Sequence, residues 1–151
     1  MTLCERLRQR CPHAVVPRCA DQGCEMKLDG LRERVVLKGE QLAGNRFKMC
    51  DNIVVAELPP KLILAAVELK SNTTPAGAII EKLDNGAREA AAMLSECGQS
   101  SSGVSFYPIA LAKSWHSADL RKLARSRVSF NGRPYPISLK RCGTQLNQII
   151  D

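Results

Sequence analysis

Apolar and polar residues alternate, cluster or recur at helical spacing in different parts of this chain, and each pattern predicts an element. Thr2 to Arg10 reads as a short helix stopped near Pro12, and Arg34 to Lys38 (Arg-Val-Val-Leu-Lys) as a strand that ends at Gly39. Phe47, Met49, Ile53, Val54 and Val55 make Arg46 to Leu58 a second strand. Leu62 to Lys70 (Leu-Ile-Leu-Ala-Ala-Val-Glu-Leu-Lys) is a third, mostly buried one. Pro59-Pro60 between them cannot continue a ladder, so the chain turns there. Ile79, Ile80, Leu83, Ala87, Ala90, Ala91 and Leu94 then recur at spacings of three and four, one stripe of a long helix. Thr74 fits its N-cap, Pro75 its first position and Gly98 the residue just past its end. The stripe is rich in alanine, which suits close packing on a sheet, while Gly77 and Gly86 weaken the helix so that packing must hold it.

Val104 to Leu111 reads as a fourth strand, and strand, helix and strand make a parallel crossover unit. Ser117 to Ser126 predicts a short basic helix capped by Ser117. Val128 to Leu139 predicts a hairpin around Asn131-Gly132, with Pro134 and Pro136 placing its second strand at an edge. Residues 11–30 read as irregular, and the last eight predict no element. The order points to a mixed α/β domain: a four-stranded sheet, three strands antiparallel and one parallel, flanked by helices and followed by a basic helix and hairpin. Residues 1–151 read as one domain, with a core to about 112 and a basic appendage over 113–151.

Charge sharpens this picture. The net charge is +7, and the stretch from Lys113 to Arg141 holds eight basic residues (Lys113, Arg121, Lys122, Arg125, Arg127, Arg133, Lys140 and Arg141) against one acid, Asp119. A field of one sign attracts phosphates and makes binding salt-dependent, although a solvated basic helix and hairpin with no ligand carries the same pattern. No run approaches the ~18 apolar residues that span a bilayer, and the first residues lack the apolar core of a signal peptide. The expectation is a cytoplasmic protein with no membrane partner.

Asp51, Glu68 and Lys70 carry the candidate chemistry. Side chains alternate along a strand, so Glu68 and Lys70 share a face with the small Ala66. A turn centred on Pro59-Pro60 sets Asp51 opposite Glu68, with Cβ atoms about 4.5–5.5 Å apart and Lys70 on the diagonal. Two carboxylates that close repel one another unless a cation lies between them. Mg²⁺ takes one or two carboxylates with water and substrate phosphate, and the Leu69 peptide oxygen offers a further ligand. The lysine would orient the attacking water, assist its deprotonation or stabilise the phosphorane. A surface salt-bridge set is the alternative, but the Leu-Ile-Leu-Ala-Ala-Val run before the pair argues against an exposed face.

Cys50-Asp51 on one strand and Glu68-Leu69-Lys70 on the next, followed by a helix and a parallel strand, resemble the PD-(D/E)XK nuclease superfamily, whose members share a restriction-endonuclease-like core. The resemblance covers roughly residues 1–112. It implies that Asp51 and Glu68 bind Mg²⁺, for which Mn²⁺ can substitute, and that Lys70 positions the attacking water. Cys50 stands where the family often has proline. Many members add a glutamate from the first helix, which nominates Glu5, with Glu40 as alternative. The crossover helix often presents a polar side chain to the site, which nominates Lys82. Arg121, Lys122, Arg125 and Arg127 are candidate phosphate contacts. The implied activity is Mg²⁺-dependent phosphodiester hydrolysis, on DNA in preference to RNA, by a homodimer or with a partner subunit. The alternatives are a basic nucleic-acid-binding or scaffolding subunit that keeps the fold without cutting, and a phosphodiesterase acting on a small nucleotide.

Seven cysteines, an odd number, argue against a disulfide framework. Cys4, Cys50, Cys97 and Cys142 read as small core residues. Cys11, His13, Cys19 and Cys24 have the ligand chemistry of structural zinc without the spacing of a finger or ribbon, and reduced loop cysteines are the simpler reading. The aromatics are few and scattered, so no stacking platform for single strands is expected.

Overall fold

Residues 1–70 and 75–150 are described by a computed structural model. The chain opens with helix α1 (Leu3–Arg10), capped by the Thr2 hydroxyl, which accepts from the Glu5 N–H. Three short strands follow, β1 (Val15–Val16), β2 (Cys19–Asp21) and β3 (Cys24–Met26), then β4 (Arg34–Lys38) and a short helix α2 (Gly39–Ala43). Next come β5 (Asn52–Leu58), β6 (Lys61–Lys70), helix α3 (Ala76–Glu96) and β7 (Ser105–Ala112). Helix α4 (Ser117–Arg125) and strands β8 (Arg127–Phe130), β9 (Arg133–Pro136) and β10 (Ser138–Arg141) complete the set.

The protein is a mixed α/β structure with a six-stranded sheet in the order β1-β4-β5-β6-β7-β10 and two ribbons, β2–β3 and β8–β9. Strands β4, β5 and β6 form the expected antiparallel meander, and β7 adds parallel to β6 after α3. The register about Pro59-Pro60 is the expected one, with Ile53 opposite Ala66 and Asn52 opposite Val67. The sheet has six strands rather than four because β1 pairs with β4 and β10 adds parallel to β7. Neither carries a readable pattern: β1 is two residues long, and three of the four residues of β10 are polar.

Other boundaries moved for identifiable reasons. The strand expected from Arg46 begins only at Asn52, because Gly39–Ala43 form α2, whose last carbonyls the Arg46 guanidinium caps at Ala43 and Leu42. The C-terminal hairpin turns at Asn131-Gly132, both left-handed (φ 53° and 73°), but ends at Pro136; Leu139 belongs to β10. Pro75 takes the N-cap position of α3, and the Thr74 cap lies outside the described residues. The Ala76 N–H is instead satisfied by Asp119 of α4 at 3.1 Å. Ser117 is the first residue of α4, with His116 in the cap position. Gly98 has the expected positive φ of 76°.

Residues 11–30 are not irregular: they supply β1 and the β2–β3 ribbon. Residues 143–146 bond along β3 (Gly143 N–H to Glu25 O, Lys27 N–H to Thr144 O, Leu146 N–H to Lys27 O), although no element was expected from Thr144 onward. The sheet therefore has two covered faces. Helices α1 and α3 and the β8–β9 ribbon bury Leu64, Ala66, Ile53 and Val55 on one. The β2–β3 ribbon and the C-terminal residues bury Val54, Ala65, Val67, Ile109 and Leu111 on the other. Cys24 and Cys142 are joined by a disulfide, contrary to the expectation of reduced cysteines. Among the described residues no helix is long and apolar enough to cross a membrane.

Two glycines let the layers approach around Cys50. A Cβ on Gly39 would lie 1.8 Å from the Cys50 carbonyl, and one on Gly86 would lie 2.5 Å from the Cys50 sulfur. Alanine in a helix is favoured over glycine by about 0.8–1.0 kcal/mol, whereas overpacking costs about 1–3 kcal/mol. Gly86→Ala should therefore lower the urea midpoint in the wild-type background and raise it in Cys50→Ala, where only ordinary contacts with the Ala66 and residue-50 Cβ atoms remain. Stabilisation in both backgrounds would mean that α3 does not sit this close.

Candidate active site

The site forms where β4, β5 and β6 bring opposite chain ends together. β5 is antiparallel to β6, so residues before Asn52 lie beside those after Val67. The Gly39 N–H donates to the Asp51 carbonyl at 2.8 Å and holds Asp51 against the end of β4. The Asp51 N–H donates to Glu68 Oε1 at 3.1 Å, and the Leu69 N–H donates to Asp51 Oδ2 at 2.6 Å. The expected juxtaposition of Asp51 with Glu68 is present. The N–H and C=O of a strand residue point the same way, so the Leu69 carbonyl is turned to the Asp51 side.

Glu68 is fully buried, at 0 % exposure. Its Oε2 lies 2.9 Å from Lys70 Nζ and 3.2 Å from Lys82 Nζ, contacts that are ionic rather than directional. Lys82 reaches the site from α3. Burial alone would lower the pKa of Lys70, but the Glu68 carboxylate outweighs it and holds the ammonium above its usual range. Asp51 is moved oppositely. Burial first, then the charge of Glu68, raise its carboxyl from 3.8 to about 7 against the pull of the Leu69 N–H, and Asp21 adds to the rise.

A cleft of about 380 Å³ opens beside Asp51, walled by residues of β1, the β2–β3 ribbon, β4, α2 and α3. Its cations are Arg18, Lys38 and Lys82, and its acids are Asp21, Glu40 and Asp51. Each cation faces a carboxylate: Arg18 pairs with Glu25, Lys38 with Glu40 at 3.4 Å, and Lys82 with Glu68. Among the described residues this leaves Asp21 and Asp51 as surplus acids in the cleft.

Other nominated residues divide clearly. Lys122 of α4 reaches the first turn of α3, 3.8 Å from where a Gly77 Cβ would stand, which places it at the Lys70 end of the sheet. Arg121, Arg125 and Arg127 are exposed, and Arg127 bonds to carbonyls at the end of α4. Glu5 is not at the site: α1 starts at Glu57, whose carboxylate accepts from the Leu3 and Cys4 N–H groups, at the opposite end of β5 from Asp51. Glu40 does line the cleft.

The zinc set does not assemble. Cys24 is in the disulfide, Cys11 and Cys19 are buried on opposite faces of the sheet, and the His13 ring meets the Gln41 carbonyl. A different group, Cys4, Glu33 and Glu57, clusters beneath α1. There burial and then Glu57 push the Cys4 thiol up to about 12, Glu57 caps α1 and Glu33 accepts from Thr2, so these residues anchor the helix.

Arg18, Asp21, Gln22 and Lys38 line the cleft without having been nominated from the sequence. Cys19-Ala20-Asp21 and Cys24-Glu25-Met26, on either side of Gln22-Gly23, are too short to show a strand period. Comparison with protein-family models, with curated proteins and with solved structures gave no match.

Because Asp51 binds its proton more tightly folded than unfolded, its contribution to stability is complete below pH ~3.8 and is lost as pH rises through about 7. Asp51→Asn mimics the protonated state. In EDTA the variant should melt above wild type at pH 8, with the gap smaller at pH 5 and closed only below pH ~3.8. A gap of equal size at both pH values would show that Asp51 is not held protonated by Glu68 and burial.

Proposed function

We propose that the protein is a Mg²⁺-dependent nuclease of the PD-(D/E)XK type, with a restriction-endonuclease-like core and DNA as its substrate. The observation that carries this reading is the fully buried Glu68, held between Asp51 and two lysines at neighbouring strand ends. A carboxylate is costly to bury, and a purely structural role gives no reason to gather a second acid, pushed up to about 7, beside it. The order of helix, three antiparallel strands, crossover helix and parallel strand supports the same reading.

The residues fit a divalent cation. Asp51, Glu68 and the Leu69 carbonyl are oxygen donors of the kind Mg²⁺ takes, and a cation would offset the surplus acids of the cleft. When bound, Mg²⁺ supplies charge neutralisation at the phosphate and a lowered pKa for attacking water. The Glu68 carboxylate holds the Lys70 ammonium above its usual range, which suits it to donate to water or to the developing phosphorane charge. Lys82 shares Oε2 of Glu68 with Lys70 and can turn to a phosphate oxygen. Lys122, about 7.5 Å further along α3 at 1.5 Å per residue from Lys82 to Gly77, is placed for a neighbouring phosphate.

Cleavage of supercoiled plasmid and of a labelled single strand, in Mg²⁺, Mn²⁺ or EDTA, tests this. Lys70→Ala should cut about 10²–10³-fold more slowly with binding retained. No cutting by wild type under any metal, with salt-sensitive binding intact, would replace this reading with a nucleic-acid-binding subunit. Lys122→Ala should weaken binding to all sequences alike and reduce the slope of log K against log salt by about 0.9. An unchanged slope, measured by fluorescence anisotropy across a salt series, would remove Lys122 from the interface.

A further inference from the structure

The β2–β3 ribbon meets the cleft at its turn. Gln22 and Gly23 are both left-handed (φ 46° and 82°), so the tip is a tight two-residue turn. Asp21 and Gln22 stand in the cleft wall with Asp51. Cys24, the first residue after the turn, is bonded to Cys142, the residue directly after β10. That bond lies against the ends of β6 and β7: Cys142 Sγ is 3.7 Å from the Lys70 carbonyl, and Cys24 Sγ is 3.8 Å from the Leu111 carbonyl. The Cys142 N–H also donates to the Ala112 carbonyl.

The base of the ribbon has other anchors. Cys19 and Met26 are buried in the core, and residues 143–146 bond along β3. At the tip only Cys24 is buried, so its bond to Cys142 ties Asp21 and Gln22 to the cleft and lies against the strand end that carries Lys70, whose carbonyl also accepts from the Lys113 N–H. We propose that the Cys24–Cys142 disulfide is a redox latch on this site: oxidised, it holds the cleft wall and Lys70 in place; reduced, it releases the tip while the rest of the fold persists. The proposal rests on the nuclease reading of the site.

The chemistry is thiol–disulfide exchange with a dithiol. Cys24 is fully buried and Cys142 is partly exposed, so a thiolate of the dithiol attacks Cys142 Sγ. The S–S bond breaks and Cys24 leaves as a thiolate. The second thiol of the reductant then displaces Cys142, leaving the dithiol as a disulfide. Two electrons pass to the protein, and the two protons of the dithiol end on Cys24 and Cys142. The remaining cysteines do not compete: Cys4, Cys11, Cys19 and Cys50 are buried, and Cys97 lies in the loop after α3, beyond the helix end remote from the cleft.

The test uses the whole chain, oxidised or treated with dithiothreitol, at a temperature where circular dichroism shows both forms folded. Thiol titration in denaturant should find five free thiols before reduction and seven after. Reduction should slow Mg²⁺-dependent plasmid cleavage on the order of 10²-fold, the cost of about 1 Å of misplacement. Amide exchange over residues 20–24 and 142–144 should quicken. The double variant Cys24→Ala/Cys142→Ala should match the reduced enzyme and ignore dithiothreitol, while Cys97→Ala should behave as wild type. Seven thiols in protein prepared under oxidising conditions would overturn the latch. So would equal cleavage and equal exchange in the two titrated forms. Exchange that responds to reduction in a protein that never cuts would uphold the latch and sink the nuclease reading instead.

Discussion

An ionised carboxylate shut away from water costs several kcal/mol unless cations and hydrogen bonds replace its lost hydration. The Glu68 side chain is fully buried, and much of the surrounding structure follows from it. Its two oxygens are served by the N–H of Asp51 just before β5, by Lys70 of its own strand and by Lys82 of α3. Each of those elements must arrive in register. Removing any one leaves a buried charge with less compensation than it needs, so the site and the fold around it depend on each other.

Bringing Lys82 to Glu68 sets how closely α3 must lie on the sheet. The helix meets it through Gly86, Ala87 and Ala90, all buried, with Gly86 over the Cys50 sulfur. Cys50 in turn fills the position before Asp51, with burial pushing its thiol well up so that it stays an uncharged packing group. The helix start is held from outside the core, by Asp119 on the Ala76 N–H. The only acid of the basic segment thus ties α4, and with it Lys122, to the helix that carries Lys82.

The hydrophobic pattern made the centre of this arrangement legible. A run as apolar as Leu62–Val67 has few structural options, and two prolines fix where it reverses, so the pairing of Asp51 with Glu68 followed from residue positions alone. What stayed hidden was held by long-range contacts. Strands of two to four residues, such as β1, β2 and β3, carry too few positions to show a period. Their pairing is driven by burial against a sheet the local sequence does not reveal. The disulfide was hidden for the same reason: its partners are 118 residues apart, and an odd cysteine count argued against it. Glu5 was misplaced because helix polarity, set by Glu57 binding the start of α1, sends that residue to the far end of β5.

The balance of charge in the cleft constrains what it can accept. The overall excess of +7 is carried on the outer surface, largely by exposed residues of α4 and the strands after it. Inside, Arg18, Lys38 and Lys82 already face Glu25, Glu40 and Glu68, while Asp21 and Asp51 add negative charge. A phosphate drawn in by the outer field would therefore meet carboxylates, and in a partly buried cleft that repulsion is only weakly screened. A dication reverses the sign of the encounter, because it turns the same acids into ligands and frees the lysines to face the substrate. On the nuclease reading proposed above, such a site rejects lone anions and admits a phosphodiester only together with its metal.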